Sequence, residues 1–261
     1  MLLKKAAVAD FFYTANPEVL KNQVNECIEK SVNITLNGDL KGLIVPHAGY
    51  IYSGIVAGSA YKQLKKHDNG KNKKVIILGP SHRYPLRTVS VCAYDEFETP
   101  LGNIKGSSLA KEMAKELGFI PDADKFEHSL EVQLPFLKMS LKNFEIIPIV
   151  VGHPDIKELS EFLKNYIDEN TYLLISTDLS HFFPYEKAVM TDTETSTAII
   201  NQDINKMAHI GDACGIVGVL TSMFMAHDLS WKTEFLDYKN SGDTAGTKDK
   251  VVGYGAYAYI N

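Results

Sequence analysis

Short apolar runs alternate along the chain with segments whose apolar residues recur at helical spacing. The runs predict strands at 42–45, 75–78, 89–93, 144–151, 172–175, 231–239 and 251–259. The helical spacing predicts helices at 17–30, 53–66, 107–117, 130–141, 155–167, 185–200, 203–209 and 215–227. Strands that alternate with helices indicate an α/β fold with a mixed central sheet flanked by helices. No linker or repeat divides residues 1–261, so we expect a single domain.

Two prolines lie inside predicted elements and modify the pattern. Pro148 lies within the strand 144–151, which favours an edge strand or a bulge because proline cannot donate a hydrogen bond to a neighbouring strand. Pro135 lies within the helix 130–141 and predicts that this helix is either kinked there or begins there.

Net charge and cysteine content exclude several classes of protein. The chain has 27 Lys and Arg against 32 Asp and Glu, and this net charge of −5 argues against nucleic-acid binding through overall positive charge. Cys27, Cys92 and Cys214 lack the spacing of a disulfide framework and indicate a reducing compartment. The first residues lack a signal-peptide pattern, and the apolar run 213–226 is too short to span a bilayer. We therefore expect a cytoplasmic protein that binds neither nucleic acid nor membrane.

Four of the eight histidines come directly after predicted strands. They are His47, His82, His153 and His181. In open α/β sheets, ligands bind in the crevice beyond the carboxyl ends of the strands. Several imidazoles that meet in such a crevice indicate a metal site or an acid/base site.

His47 and His82 share one local pattern, in which a strand is followed by a proline and then by the histidine. Proline stiffens each turn, and rigid turns suit metal ligation because the ligands must be held in a preset geometry. The alternative is that both histidines cap the edge of the sheet through hydrogen bonds to the backbone.

Three further residues are candidates for the same crevice. Asp178 and His181 share one loop, where they either hydrogen-bond to each other or enter the crevice separately, and Asp178 could instead cap a turn. His128 is expected at a helix N-terminus, which would lower its pKa and make it a neutral hydrogen-bond donor. Cys214 lies beside glycine at a helix start, which would stabilise a thiolate, although a buried small apolar residue is the alternative.

Five short motifs occur in an order that identifies a known family. The motifs are Pro46–Tyr50, Gly79–His82, Glu127–Ser129, Asp178–His181 and Cys214–Gly215. Over essentially its whole length the chain resembles the Memo family, whose prokaryotic members are called AmmeMemoRadiSam system protein B. The resemblance implies the fold of the class III extradiol dioxygenases, with a crevice at one end of the sheet.

The resemblance also implies roles for individual residues. His47, His82 and Cys214 match positions that ligate iron or copper, and His181 matches the acid/base histidine of the dioxygenases, with Asp178 beside it. Those dioxygenases have a carboxylate where this chain has Cys214, and a thiolate favours Cu(I) or a redox-active iron. Extradiol ring cleavage therefore does not follow from the resemblance.

One segment departs from the family pattern. Asp10 and Thr14 stand where Memo sequences commonly have glycine and proline, so we expect a different rim of the crevice.

Three functions agree with these candidates. The first is an iron- or copper-dependent oxidoreductase in which His181, Asp178 and His128 move protons on an unknown small-molecule or peptide substrate. The second is a non-catalytic metal-binding or phosphopeptide-binding adaptor, with a radical-SAM protein as the partner that the resemblance implies. The third is a hydrolase with zinc on the same ligands.

Overall fold

The predicted apolar runs form the strands of a central sheet in the computed structural model, which describes all of residues 1–261. The strands of the chain are β1 (Leu3–Lys4), β2 (Leu40–Val45), β3 (Lys73–Pro80), β4 (Val89–Val91), β5 (Glu96–Phe97), β6 (Ile104–Lys105), β7 (Phe144–Val151), β8 (Thr171–Ser176), β9 (His181–Phe183), β10 (Lys232–Asn240) and β11 (Val251–Ile260). Of these, β1, β5 and β6 form a separate three-stranded sheet. The helices are α1 (Pro17–Lys30), α2 (Tyr50–Lys66), α3 (Ser108–Leu117), α4 (Pro121–Asp124), α5 (Leu134–Ser140), α6 (Ile156–Lys164), α7 (Tyr185–Ile200), α8 (Ile204–Ile210) and α9 (Ile216–Asp228).

The central sheet is mixed, as the sequence predicted. Its strand order is β10-β11-β2-β8-β3-β7-β4, and β9 pairs with β11 outside this path. The four strands β2, β8, β3 and β7 are parallel, whereas β11 runs antiparallel to both of its neighbours and β4 runs antiparallel to β7. The carboxyl ends of the four parallel strands therefore meet at one edge of the sheet, where the loops after them can form a shared crevice.

Helices cover both faces of this sheet. Alternate residues of β3 pack on opposite sides: Val75 and Ile77 belong to one core cluster, and Ile76 and Leu78 belong to the other. The first cluster includes side chains of α1, α2 and α5, and the second includes side chains of α3, α6, α7, α8 and α9. Burial on both faces explains why the parallel strands are continuous apolar runs rather than alternating ones. None of the helices combines the length and apolar character that crossing a membrane requires.

The two prolines behave differently from each other. The prediction of an edge strand or a bulge at Pro148 is wrong, because β7 lies between β3 and β4 and pairs with β3 in an unbroken register. The carbonyl of Pro148 accepts a hydrogen bond from the N–H of Cys92 just beyond β4, so the proline lies where the β4 ladder ends. Pro135 marks a helix start: a 3-10 turn at Glu131–Gln133 precedes α5, and Pro135 lies in the first turn of α5.

Candidate metal centre

The crevice at the carboxyl edge of the parallel strands brings three histidines together. His47 lies beyond the end of β2, His82 lies beyond the end of β3, and His128 comes from the turn before the 3-10 turn at Glu131–Gln133. One ligand nitrogen of each imidazole lies within 4.8 Å of those of the other two. The rings of His82 and His128 stack at 4.6 Å between centroids, and His47 meets both rings edge-on at 5.2 Å.

The hydrogen bond from Nδ1 of His47 makes Nε2 the nitrogen that can bind a metal. Its Nδ1 lies 3.0 Å from Oγ of Ser176, and that hydroxyl donates its own hydrogen to the carbonyl of Ser129 at 2.6 Å. Ser176 must therefore accept from Nδ1 of His47, which leaves Nε2 without a proton and free to bind a metal. Burial and, after it, the charge of His82 lower the pKa of His47 to about 3.

His82 has the same kind of support, from a carboxylate. Its Nδ1 lies 2.9 Å from Oε1 of Glu127, and its backbone N–H donates to Oε2 of Glu127 at 2.6 Å. Burial acts to raise the pKa of Glu127, but the hydrogen bonds from His82 and from the N–H of Ser129 lower it to about 2. Glu127 is therefore ionised, and a carboxylate on Nδ1 orients a histidine whose Nε2 faces a metal.

His128 is the one histidine of the three whose Nδ1 has no hydrogen-bond partner. This nitrogen is buried, and Oε1 of Glu127 lies 3.4 Å away from it. Its ring stacks on Phe12 at 4.4 Å between centroids. The pKa of His128 is lowered to about 4, as the sequence predicted, but the first cause is burial rather than a helix N-terminus.

Cys214 lies at the margin of this group and outside the set of three nitrogens. Its Sγ is 3.2 Å from Nε2 of His47 and accepts the N–H of Asp178 at 3.3 Å. Burial and the negative charge of Asp178 raise the pKa of the Cys214 thiol to about 12, so the expectation of a lowered thiol pKa is wrong for the metal-free protein. The ligand role of Cys214 stays a prediction.

Asp178 contacts His47, whereas His181 lies apart from Asp178 on β9. Oδ1 of Asp178 accepts the backbone N–H of His47 at 2.7 Å, and Oδ2 lies 4.0 Å from Nε2 of His47. Burial raises the pKa of Asp178. His181 lies on β9, where it pairs with Val252 of β11 and is half-buried, and no hydrogen bond joins it to Asp178. Asp178 thus fixes the loop that carries His47, and this leaves His181 free of that carboxylate.

Comparison with known proteins identifies the family. A family profile described as "Memo-like protein" matches residues 4–258. The MEMO1 family protein of Saccharolobus solfataricus is 36% identical over 95% of this chain and 96% of its own length, and that of Methanosarcina mazei is 36% identical over 98% of each. The chain belongs to the Memo family. The resemblance read from the five motifs is confirmed.

A solved structure of low sequence identity has a fold similar to that of this Memo-family chain. An uncharacterized protein from Escherichia coli K12 superposes with a TM-score of 0.50 at 14% identity, and the match covers 85% of this chain and 100% of that one. At this identity the likeness concerns the fold alone.

The segment that contains Asp10 and Thr14 packs against the histidine cluster. Phe12 of this segment stacks on His128, and Glu131 holds the segment by accepting the hydroxyl of Tyr13 at 2.8 Å. Asp10 adopts a φ of 66°, a left-handed conformation in which glycine is the usual residue, and its carboxylate accepts the N–H of Ala15 at 2.7 Å. Aspartate tolerates this conformation by making local hydrogen bonds.

Sequence reasoning missed the residues that support the histidines. Glu127 lies inside one of the recognised motifs, and its position beside His128 gave no indication that it would bind His82 instead. Ser176, at the end of β8, and Phe12 appeared as an ordinary strand residue and loop residue. A signal existed only for Glu127, since a carboxylate within a histidine motif is a typical partner of a metal-binding histidine.

The lowered pKa of His47 predicts that the metal-free protein becomes less stable in mild acid. The unfolded chain protonates this residue near pH 6.5, whereas the folded chain does so only near about pH 3. Between these values the unfolded state binds more protons, so the free energy of unfolding falls as the pH falls. From pH 7 to pH 5, His47 should contribute a loss of about 2 kcal/mol.

Urea unfolding of the chelator-treated protein at the two pH values measures this contribution. The His47→Gln variant should lose about 2 kcal/mol less than the wild type between pH 7 and pH 5, because it lacks the titrating ring. The exposed His227→Gln serves as the control and should behave like the wild type. If the free energy of unfolding depends on pH identically in His47→Gln and in the wild type, the prediction of a lowered pKa for His47 is contradicted.

Proposed function

We propose that this Memo-family protein binds one transition-metal ion, with iron as the first candidate, and uses it in an oxidoreductase reaction on a small molecule. The ligands are His47, His82 and Cys214. The observation that carries the proposal is the support of both histidines: Nδ1 of each is held by Ser176 or Glu127, so that each Nε2 is free. Metal sites need this arrangement because the second nitrogen fixes the tautomer and the orientation of the ring.

The distance between Cys214 and His47 agrees with two ligands of one metal, although Sγ lies outside the cluster of three histidine nitrogens and would have to approach His82. Bonds of about 2.0–2.1 Å to an imidazole nitrogen and about 2.3 Å to a thiolate place the two ligand atoms about 3.1–3.6 Å apart at ordinary bond angles. The distance from Sγ of Cys214 to Nε2 of His47 is 3.2 Å, within this range. Metal binding would displace the thiol proton despite the raised pKa, since a coordinating thiol is deprotonated outright. Two imidazoles and one thiolate suit iron, copper and zinc, and iron or copper adds redox chemistry.

The remaining residues of the crevice have separate tasks in this proposal. A bound metal supplies Lewis acidity and redox capacity for the substrate or for O₂. Asp178 holds the backbone of His47 and so fixes the first ligand. His181 is half-buried at the crevice and free of Asp178, so it can take up or release a proton on the substrate. His128, kept neutral by its lowered pKa of about 4, can donate or accept a hydrogen bond without adding charge.

Metal loading and oxygen uptake test this function together. The protein is purified under anaerobic conditions, and its iron, copper and zinc contents are measured before and after reconstitution with each ion. We expect about one equivalent of iron per chain and measurable oxygen uptake with at least one member of a panel of catechols. The metal-free protein is the control for oxygen uptake.

Three outcomes would overturn the proposal in different ways. Failure to bind any of the three ions after reconstitution would remove the metal centre altogether. Stoichiometric metal without oxygen uptake on any catechol, together with partner binding that survives removal of the metal, would make the protein an adaptor. Hydrolysis that depends on zinc alone would replace the oxidoreductase with a hydrolase.

A further inference from the structure

A pocket of about 570 Å³ opens beside the candidate metal centre, at the carboxyl ends of β3 and β7. We call it the arginine pocket; its wall includes His82, Arg83, Arg87, His153 and Cys214. Two of these residues, His82 and Cys214, also belong to the proposed metal site. A molecule in this pocket would therefore lie directly beside the metal ligands.

The charge of this pocket differs from that of the rest of the protein. Arg83 and Arg87 are the only arginines among 261 residues, and both are exposed. Neither forms an ion pair with a carboxylate. No aspartate or glutamate lines the pocket, although the chain as a whole carries a net charge of −5. Neither guanidinium group has an ion-pair partner, so their hydrogen-bond donors remain available to a ligand.

The loop that carries both arginines is fixed by hydrogen bonds. The N–H of Ser81 donates to the carbonyl of Val151 at 3.0 Å, and the hydroxyl of Ser81 donates to the carbonyl of Tyr84 at 2.7 Å. At the other end of the loop, the N–H of Gly152 donates to the carbonyl of Thr88 at 2.8 Å. The backbone beneath the arginines is thus anchored to the end of β7, which reduces the entropy lost when they hold a ligand.

A third source of positive potential faces the same space. The first turn of α9, residues 216–218, lines the pocket, and the N-terminus of a helix carries partial positive charge. His153, exposed beyond β7, adds a further hydrogen-bond donor. The pocket therefore contains two guanidinium groups, an imidazole and a helix N-terminus, and no acidic side chain lines it.

We propose that the arginine pocket binds the oxyanion group, a phosphate or a carboxylate, of the substrate, and that Arg83 and Arg87 hold it. A guanidinium binds either oxyanion through two parallel hydrogen bonds, which fixes orientation as well as position. Because Arg83 directly follows His82 in the chain, the anchored group lies next to the metal ligands and the rest of the molecule reaches the metal. The substrate class rests on the proposed function, whereas oxyanion binding to the pocket does not.

Calorimetric titration of the metal-free protein with inorganic phosphate and, separately, with acetate tests the proposal. The chelator is removed by dialysis, and ionic strength is held constant because screening weakens such contacts. The Arg83→Gln/Arg87→Gln variant should lose at least ten-fold in affinity for the oxyanion that binds the wild type. The Lys21→Gln/Lys232→Gln variant removes the same charge from exposed positions outside the pocket and should retain wild-type affinity.

Each outcome of this titration decides the proposal. Phosphate binding that depends on the arginines supports a phosphorylated substrate, acetate binding with the same dependence supports a carboxylate, and binding of both supports the shared oxyanion site. The proposal would be overturned if neither anion binds, or if the arginine and lysine variants lose affinity equally. Because no metal is present, a failure here is distinct from a failure of the metal centre.

Discussion

Replacing Cys214 with serine is expected to weaken Fe(II) binding by at least 100-fold. Loss of a residue that only supports a metal ligand already costs 10–100-fold, and a thiolate ligand also contributes a full negative charge. Sγ of Cys214 lies 3.2 Å from Nε2 of His47, so serine would leave His47 without its neighbour on the metal. Competition with a chromophoric Fe(II) chelator measures the affinity, and Co(II) loading reports the thiolate through its charge-transfer absorption.

Matched variants make this expectation decisive. Cys27→Ser removes a thiol from α1, away from the crevice, and should bind iron like the wild type. His47→Ala should lose iron as severely as Cys214→Ser does, because it removes the shared ligand. His128→Ala should lose less than ten-fold, since no residue holds its ring nitrogen for ligation. The reverse order, in which His128→Ala loses the metal and Cys214→Ser retains it, would establish a site of three histidines instead.

The sequence could predict the part of the site that depends on strand ends. His47 and His82 follow parallel strands, and the carboxyl ends of such strands meet at one edge whatever their order in the sheet. The apolar runs also predicted the mixed sheet, because burial on both faces removes alternation from the strand pattern. Both features follow from short-range sequence patterns, so they could be predicted without knowledge of contacts between distant residues.

The features that the sequence did not predict depend on contacts between residues distant in the chain. Glu127 brings His128 into the crevice by binding the backbone and the ring of His82, 45 residues away in sequence. The pKa of Cys214 follows from burial against Asp178 rather than from the helix that begins two residues later. The interior position of Pro148 likewise depends on β4, which pairs with β7 from a different part of the chain.

Replacing His181 with alanine is expected to slow oxygen uptake by about 10²–10⁴-fold while metal content stays unchanged. His181 lies on β9, held by backbone pairing with Val252, and makes no hydrogen bond to the proposed ligands. Its charge contributes to the pKa values of His47 and Asp178. Removal of the imidazole should therefore abolish proton transfer without disturbing the metal.

The experiment compares rates with the catechol that the wild type consumes fastest, alongside iron content for each variant. His181→Gln keeps a hydrogen-bonding side chain but cannot transfer a proton near neutral pH, so it should be as slow as His181→Ala. His227→Ala removes an exposed histidine from the end of α9 and should retain full rate. Loss of iron in His181→Ala would instead make His181 part of the metal site, since proton transfer alone requires no contact with the metal.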